Sequence, residues 1–490
     1  MGAAFLAGAF SPELCQIKTY SEVYSGPLED EKLLAWPDMI VLTGVSNCFD
    51  RMLHVTAYAR TKNSKVIVVA GGPPIRAFPQ YASAFFDYCC SGDIEQLKEV
   101  VTDAFGREYC AEEMLPRLDL AYWTGIHGHV ETSRYCNFHC NFCSLTGEKA
   151  RYQKYDLNYL EKQFHLMGKR RTVHFIDNNF YGNDPHFFRS RLDLINTYRR
   201  KGYFKYWSAL VSGDFFSNEE NLKLAASTGC TALFSGIESF DNTLLQNYNK
   251  HQNTKLPQVE LISRCLNHGI AFWYGLFMDV YNRSISEIHK EMDFIFENSE
   301  ISLPGFLTIP IPLPGTPYFF ECLEKKAFFP RTSLRHLDGV TLSMDPLSPL
   351  EEAVSFIRDA QQLKNQRTKI LHHALLFYRR YRKVLSPEKM FYALASNAIL
   401  LMGNKPPRPF LLANNTSTLT HVSSTEPFDR TYSPAFRVDS RYAHYFKPTM
   451  LTDNEGNITE ALAPDIYTHM NRNQNSEPNA RKEALLETAS

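Results

Sequence analysis

The stretch Cys136-Asn-Phe-His-Cys140-Asn-Phe-Cys143 carries the strongest chemical signal in this chain. Three cysteines this close together can turn their thiolates towards one metal centre, and thiolates are soft ligands that suit zinc and iron–sulfur clusters. A four-iron cluster normally takes four cysteines. Because only three are supplied here, one iron would keep an open coordination position, which is how a metal site admits a substrate. The spacing therefore favours a [4Fe–4S] cluster held by Cys136, Cys140 and Cys143.

A zinc ion is the alternative for the same stretch. His139 lies inside it, so Cys136, His139, Cys140 and Cys143 could form a Cys3His set. Adjacent His139 and Cys140 would be awkward as joint ligands of one tetrahedral ion, and zinc motifs usually use two separated pairs of ligands. The motif alone favours the cluster over zinc.

Strands and helices alternate from residue 128 onward, which predicts six βα units. The predicted strands lie near 128–133, 172–177, 205–211, 231–236, 270–277 and 305–309. Helical patterns cover 155–168, 185–201, 218–228 and 284–298. Six such units make a parallel, partial (β/α)6 barrel, in which chemistry gathers at the carboxyl ends of the strands. The cysteines come directly after the first of these ends.

A smaller α/β unit precedes the barrel. Short β-branched runs at 38–44, 65–70 and 86–90 read as buried parallel strands, with helices at 49–60 and 94–105. This pattern predicts a short doubly wound sheet, whose ligands sit beyond the carboxyl ends of its strands. After residue 350 the pattern is helical, over 351–383 and 387–402. We expect a front domain at 1–109, a linker at 110–127, the barrel at 128–325, helices at 326–404 and an irregular polar tail at 405–490.

Composition excludes several classes of protein. The 52 Lys and Arg balance the 53 Asp and Glu, so nothing indicates a nucleic-acid footprint. The 11 cysteines are too sparse in 490 residues for a secreted disulfide scaffold. We expect no signal peptide, because no basic region precedes the apolar start, and the sequence contains no uncharged apolar run long enough to span a membrane. We expect a cytoplasmic protein with reduced thiols.

The cysteine motif and its surroundings resemble the radical S-adenosylmethionine (SAM) superfamily. Glu131-Thr-Ser-Arg-Tyr135-Cys136 is similar to the Thr-Ser-Arg-Gly-Cys approach of that family, with Tyr135 in place of the usual glycine. The resemblance implies that SAM binds the open iron and that Phe142 lies near its adenine. It also implies hydrogen-abstracting radical chemistry and a low-potential electron donor of the ferredoxin or flavodoxin type.

Later segments extend the resemblance in the expected order. Phe175-Ile-Asp-Asn178-Asn179-Phe180 resembles the second-strand segment of the subclass that carries a cobalamin domain, where Asn178 and Asn179 would hold the SAM amino group. Ser212 ends the third-strand segment, and Glu238 belongs to a Gly-Ile-Glu-Ser signature; both would contact SAM. Asn249-Lys250 and the turn Pro314-Gly-Thr-Pro317 also match. Read without the resemblance, Asp177 could be a helix cap and the proline-rich segment any turn.

The front unit resembles the latter part of a cobalamin-binding domain, through Val68-Val-Ala-Gly-Gly-Pro-Pro74 and Ser91-Gly-Asp93. It lacks the Asp-x-His-x-x-Gly motif, and no histidine precedes His54. Only 37 residues precede its first clear strand. We therefore expect a vestigial domain and regard cobalamin as an unlikely cofactor, although some members of the subclass bind cobalamin without that histidine.

The resemblance leaves the substrate open, and no catalytic residue can be assigned. Its overall arrangement is most similar to enzymes of green sulfur bacteria that oxidise a bacteriochlorophyllide ring methyl group to formyl, so we expect a radical SAM oxidoreductase of pigment biosynthesis that acts on a small molecule or tetrapyrrole. The alternatives are a cobalamin-dependent radical SAM methyltransferase and a radical SAM deoxygenase of an antibiotic sugar. His372, His373 and His444 could approach the central metal of a tetrapyrrole, but ordinary structural roles fit them better.

Overall fold

The structure is a computed structural model that describes residues 1–148, 150–362, 366–402, 422–424 and 432–471, with the backbone alone for 360–362 and 402. Among the described residues the strands are β1 (Met39–Thr43), β2 (Ile67–Gly71), β3 (Tyr88–Cys90), β4 (His127–Val130), β5 (Ser133–Arg134), β6 (Gln153–Lys154), β7 (Thr172–Phe175), β8 (Tyr206–Leu210), β9 (Cys230–Glu238), β10 (Ala271–Phe277) and β11 (Phe306–Thr308).

The α-helices of the described residues follow in chain order. They are α1 (Gly2–Ala7), α2 (Glu22–Ser25), α3 (Glu31–Ala35), α4 (Phe49–Lys62), α5 (Pro73–Ala77), α6 (Pro79–Ser83), α7 (Gln96–Phe105), α8 (Ser144–Glu148), α9 (Leu157–Met167), α10 (Pro185–Arg200), α11 (Glu219–Ser227), α12 (Asn242–Asn247), α13 (Gln258–Asn267), α14 (Ile285–Glu297), α15 (Pro317–Glu324), α16 (Leu350–Gln362), α17 (Arg367–Tyr381) and α18 (Pro387–Met402).

The amino-terminal part of the chain contains a small parallel sheet in the order β1-β2-β3. Its strands are short apolar runs, and the side chains of β2 are almost wholly buried. Gly72 ends β2 with a φ of 100°, a left-handed conformation that favours glycine. The three predicted strands and the helices predicted at 49–60 and 94–105 are confirmed, whereas α5 and α6, between β2 and β3, were not predicted.

The larger sheet has the order β11-β10-β9-β8-β7-β4, and its paired strands are parallel. Strands β4 and β11 form its two edges, so the sheet is a partial barrel, and the six predicted strands are confirmed. Its helices begin with regular caps: the Asp184 side chain accepts from the backbone of Phe187 at α10, and Ser284 and Glu287 form a capping box at α14. The helical pattern predicted over 351–383 falls on α16 and α17, and 363–365 lie outside the described residues.

Side chains alternate strictly between the two faces of the barrel strands. One set, which includes Val173, Trp207 and Tyr274, is buried in the main core against the outer helices. The opposite set is partly accessible and faces the hollow of the barrel, which we call the chamber. Its walls include His127, His129, His174, Ser208, Leu210, Phe234, Trp273, Phe277 and Phe306.

Helix α18 packs against the amino-terminal end of the barrel. The indole of Trp273 donates to the carbonyl of Tyr392 at 2.9 Å, and Lys389 donates to the carbonyl of Gly269 at 2.6 Å. Arg171, just before β7, pairs with Glu388 at 2.9 Å. The chamber is therefore covered at the end that lies opposite the cysteines.

The segment 432–471 packs on the small sheet, against helix α4, rather than on the barrel. The ring of Phe446 stacks on His54 with centroids 4.6 Å apart, and the hydroxyl of Tyr58 accepts from the backbone of Ala435. The carboxylate of Asp50 accepts from the backbone of Thr449 at 3.0 Å. The rest of the predicted polar tail, 405–421, 425–431 and 472–490, lies outside the described residues.

Across the described ranges, no helix combines the length and the apolar character that a membrane span requires.

Candidate active site

The cysteine motif forms a loop directly after β4 and β5, at the carboxyl edge of the barrel. Cys140 is buried, whereas Cys136 and Cys143 are half-buried, and all three are free thiols. Burial, followed by the charges of the two other thiols of the motif, raises the pKa of Cys136 to about 11. Burial, followed by the charge of Cys140, raises the pKa of Cys143. The three sulfur atoms therefore lie close enough to interact, in surroundings where a bound cation would be needed to hold them ionised.

The segment that follows α12 holds this loop in place. The side chain of Gln252 donates to Sγ of Cys140 at 3.3 Å, and the side chain of Asn249 donates to the carbonyl of His139 at 2.7 Å. The backbone of Asn141 donates to the carbonyl of Tyr248 at 3.1 Å. The resemblance included Asn249, but Gln252 and Tyr248 carry no sequence signal of their own.

The zinc alternative finds no support in this geometry. His139 is exposed. Within the described part of the chain, no three His, Cys, Asp or Glu side chains are grouped so that they could hold a single metal ion. A cluster of four irons makes a different demand, since each thiolate binds a separate iron and the sulfurs need not meet at one point. The donor set fits a cluster better than one ion.

Glu238 ends β9 in a left-handed conformation, with a φ of 63°. Its carboxylate pairs with Lys250 at 2.8 Å, and both side chains are nearly buried. Gly236 lies beside this pair: a Cβ atom there would come within 3.0 Å of Nζ of Lys250. The ammonium of Lys250 also lies near the thiols, because they help to raise its pKa against the effect of burial. Glu238 and the cysteines are thus joined through one lysine.

Phe142 packs at the rim of the barrel. Its ring meets Tyr248 and Phe277 edge to face, with centroids 5.3 Å and 5.1 Å apart, and Nζ of Lys250 lies 5.5 Å from its centroid. These contacts fix the orientation of the ring beside the cysteines.

The segment after β7 supports the start of the cysteine loop. Oδ1 of exposed Asn178 accepts from the backbone of Tyr135 at 3.1 Å. Buried Asn179 donates to the side chain of Asn137 at 2.7 Å, and its Oδ1 has no hydrogen-bond partner. Asp177 is not a helix cap but a buried acceptor.

Asp177 anchors the residues that lead into the loop. Its carboxylate accepts from the backbone and hydroxyl of Thr132 and from the hydroxyl of Ser133. It also lies 3.6 Å from the guanidinium of Arg191, and neither side chain is exposed. A buried ion pair therefore fixes where the loop leaves the barrel.

Ser212 follows β8 at the same edge and donates from its hydroxyl to Asp214 at 2.5 Å. Oδ2 of Asp214 is buried without a hydrogen-bond partner, and burial raises the pKa of this carboxyl. A Cβ atom on neighbouring Gly213 would meet the side chain of Asn253 at 2.6 Å. Asn253 in turn donates to the carbonyl of Gly236 at 2.7 Å, so the ends of β8 and β9 touch. Asp214 was missed because no motif marks it.

The carboxyl edge of the small sheet faces the cysteine loop. Asp93, which follows β3, accepts from the hydroxyl of Tyr135 and pairs with Arg134 at 3.0 Å. Arg76, which follows β2, pairs with Glu148 at the end of α8. These contacts place the ligand-binding edge of the small sheet against the cysteine loop.

Glycine loops line this edge of the small sheet. A Cβ atom on Gly72 would lie 2.8 Å from the carbonyl of Gly44, so the loops after β1 and β2 cross closely. Both glycines remain half-exposed. A half-exposed backbone surface without side chains can receive the face of a large ring, so these residues fit a corrinoid.

Histidines occupy one wall of the chamber. His129, His174 and Ser208 lie side by side in the register of β4, β7 and β8. His174 contacts Ser208 through Nδ1 at 2.5 Å and His127 through Nε2 at 3.3 Å, whereas Nδ1 of His129 has no partner. Burial, followed by neighbouring imidazoles, lowers the pKa of His129 and of His174 to about 4. His129 and His174 are therefore neutral at pH 7. Alternation along β4 places His127 and His129 on one face of the strand, but the sequence does not tell which face lines the chamber.

The histidines considered from the sequence lie elsewhere. His372 is exposed, and His373 is buried on α17, with Nε2 bound to the carbonyl of Ile301 and Nδ1 to Asn397. His444 is exposed near Phe85 of the small domain. None of the three lies on the inner face of the barrel.

Residues 130–295 match the model of the radical SAM superfamily. This part of the chain is a radical SAM domain.

Two relatives of the chain allow a more specific comparison than the superfamily model. Hopanoid C-2 methylase of Rhodopseudomonas palustris (strain TIE-1) is 24% identical over 375 residues, which cover 72% of this chain and 68% of the relative. Bacteriochlorophyllide d C-12(1)-methyltransferase of Chlorobaculum tepidum is 28% identical over 200 residues, which cover 40% of this chain and 42% of the relative. The second match thus spans less than half of that relative's length.

The solved structure of the cobalamin-dependent SAM radical enzyme OxsB, with aqua-cobalamin and SAM bound, has the same fold. Its TM-score is 0.56 at 14% identity, covering 80% of this chain and 67% of that chain. The similarity confirms the predicted architecture, a cobalamin-domain-like sheet before a radical SAM barrel.

These comparisons correct two predictions. The prediction that the chain oxidises a bacteriochlorophyllide ring methyl group is wrong, because the relatives are named as a methylase and a methyltransferase. The prediction that cobalamin is unlikely is also wrong, because the structure that shares this arrangement contains cobalamin. The short front domain and the missing histidine motif were weak evidence against cobalamin. A corrinoid can be held by contacts with the faces and edges of its ring instead of through a histidine ligand.

Proposed function

We propose that this chain is a cobalamin-dependent radical SAM methyltransferase that transfers a methyl group to a carbon atom of a small organic molecule. The observation that carries the proposal is the junction between the two sheets. Tyr135 and Arg134, next to the first cysteine, bind Asp93 at the carboxyl edge of the small sheet. A corrinoid held at that edge would lie beside a cluster held by the loop.

The cluster ligands in this proposal are Cys136, Cys140 and Cys143. Gln252 supports this role, because a side-chain amide that donates to Sγ of Cys140 stabilises a thiolate. Such hydrogen bonds to cluster sulfur also tune the reduction potential. Cys140 is the most buried of the three cysteines, and it is the one that accepts this hydrogen bond.

SAM would lie among the ends of β7, β8 and β9. Asn178 and Asn179 offer amide groups, Ser212 a hydroxyl and Glu238 a carboxylate, while Phe142 presents a fixed ring for the adenine. The unpartnered Oδ1 of buried Asn179 supports this placement, because a buried acceptor without a donor is costly unless a ligand supplies one.

When bound, the cluster and SAM supply the means to make a substrate radical, and the corrinoid supplies the methyl group. The residues of the chain bind and orient these groups and keep water from the chamber. Glu238 and Lys250 neutralise each other beside the thiols, so the site gains no net charge from this pair. The chamber below the cysteines would hold the target carbon.

A low-potential reductant of the ferredoxin or flavodoxin type would serve the cluster. His139 is exposed in the middle of the cysteine loop, so a partner can approach the cluster from outside the barrel.

The test is anaerobic reconstitution of the purified chain with iron, sulfide and hydroxocobalamin, followed by SAM that carries a deuterated methyl group. We expect S-adenosylhomocysteine to form only when the corrinoid is present, together with 5′-deoxyadenosine under reduction. With an accepted substrate the product gains the labelled methyl group. Gain of one oxygen, or 5′-deoxyadenosine without corrinoid-dependent S-adenosylhomocysteine, would contradict the proposal.

A further inference from the structure

The two walls of the chamber differ in chemistry. The wall built by β4, β7 and β8 carries His129, His174 and Ser208. The wall built by β9, β10 and β11 carries Phe234, Trp273, Phe277 and Phe306. Phe234 and Trp273 are direct neighbours in register, and the rings of Phe234 and Phe306 lie 6.1 Å apart. An accessible aromatic surface inside a barrel marks a binding site for an apolar body.

There is open space between these walls. Gly275 lies on the inner face of β10, and a Cβ atom built there would meet nothing within 4 Å. Its neighbour in register on β9, Gly236, is crowded by Lys250. The open space therefore lies on the β10 side of the Glu238–Lys250 pair, two residues along the strands from Phe234 and Trp273.

The histidine wall has hydrogen-bonding capacity that the protein does not use. His174 is occupied at both nitrogens, by Ser208 and His127, but Nδ1 of His129 has no partner. Nδ1 of His129 is already buried without a partner, and a hydrocarbon would leave it so, whereas a hydroxyl or carbonyl group of a ligand could pair with it.

We propose that the chamber binds a large, mostly apolar ring compound that bears a hydroxyl or carbonyl group, whose polar group pairs with His129 and whose ring body lies on Phe234 and Trp273. This inference rests on the proposed function for the location of the substrate. It goes further in giving the substrate a chemical class and in excluding the bare hydrocarbon of the same shape.

Equilibrium binding without SAM or reductant tests the class separately from turnover. The probes are hopan-22-ol, the hydrocarbon hop-22(29)-ene of nearly the same shape, and methyl pheophorbide a, a planar ring with carbonyl groups, all in the same detergent. We expect hopan-22-ol or methyl pheophorbide a to bind, and hop-22(29)-ene to bind roughly tenfold more weakly than hopan-22-ol, because one imidazole loses its partner.

Three variants locate the effect. H129L should weaken binding of hopan-22-ol about tenfold, so that hopan-22-ol and hop-22(29)-ene bind equally well. G275L should abolish binding of hopan-22-ol and of hop-22(29)-ene, because the new side chain fills the open space. H186A removes an exposed histidine on the outer helix α10 and should change nothing.

Equal affinity of the native chain for hop-22(29)-ene and hopan-22-ol would overturn the inference, as would an unchanged preference in H129L or failure of all three probes to bind. None of these results touches the corrinoid-dependent formation of S-adenosylhomocysteine, so failure of the substrate class and failure of the proposed function remain distinguishable.

Discussion

The hydroxyl of Tyr135 donates a hydrogen bond to the carboxylate of Asp93 and so ties the cysteine loop to the small sheet. Tyr135 has a φ of 65°, a conformation that L-residues adopt at a cost and that explains why glycine is usual at this place in similar sequences. The bond to Asp93 offsets that cost. The residue that departs from the family pattern is therefore the one that joins the two sheets.

Tyr135→Phe should lower the free energy of unfolding by about 1–2 kcal/mol, since it removes one hydrogen bond to a charged group and leaves Arg134 bound to Asp93. Urea denaturation measures the change. Tyr467→Phe, at an exposed tyrosine, is the control and should have no effect. Equal stability of Tyr135→Phe and the native chain would show that the bond does not stabilise the junction.

Cys140→Ala should lose most of the iron bound after anaerobic reconstitution, because the buried thiol that accepts from Gln252 is removed. Cys110→Ala, at a half-buried cysteine of the small domain, should keep it. Iron content and the four-iron absorption spectrum give the result. Full iron occupancy in Cys140→Ala would remove this cysteine from the ligand set.

Asp177→Asn should cost about 3 kcal/mol or more of stability, because Arg191 would keep a buried charge without its partner. The double variant Asp177→Asn with Arg191→Met should recover part of the loss, because it removes the stranded charge. Chemical denaturation of the native chain, Asp177→Asn, Arg191→Met and the double variant completes the cycle. A loss below 1 kcal/mol in Asp177→Asn would mean that water or another group compensates Arg191.

His54 should make stability fall as the pH drops below 6.5. Burial, with help from Arg51 and Arg335, lowers its pKa from 6.5 to about 3 in the folded chain. The unfolded state therefore binds the proton first, and stability is lost as the pH falls from 6.5 towards 3. At pH 5 the cost is about 2 kcal/mol.

Comparing the native chain with His54→Phe isolates this contribution, because the phenyl ring can keep the stacking on Phe446. Between pH 7 and 5 the native chain should lose about 2 kcal/mol more than the variant. His186→Phe, at an exposed histidine, should follow the native curve. Parallel curves for His54→Phe and the native chain would show that His54 titrates normally.

The strands could be predicted because each is a short apolar run with a clear end. Ile67–Gly71 stops at Gly72, and Cys230–Glu238 contains the signature that ends in Glu238. The cysteine spacing predicted the superfamily whose model matches residues 130–295 for the same reason: the information is local. The order of βα units then fixed which loops meet at the carboxyl edge of the barrel.

Contacts between distant segments could not be predicted. Gln252 lies 112 residues from Cys140, and no pattern links a lone glutamine to a thiol. The histidines of the chamber alternate along their strands, but a single sequence does not tell which face of a barrel strand is accessible. Helix α4 carries Asp50, Arg51 and His54, which are buried because the distant segment 432–471 covers that face, and no local pattern indicates this.

Helix α4 also has a consequence for synthesis. Tyr58 is separated from Ala435 by 377 residues, and the whole barrel is translated between them. While the ribosome makes the barrel, the aromatic side of α4 has no covering segment. Folding of the small sheet can therefore be completed only after the covering segment has been synthesised. Until then, chaperones that bind exposed aromatic residues can bind α4.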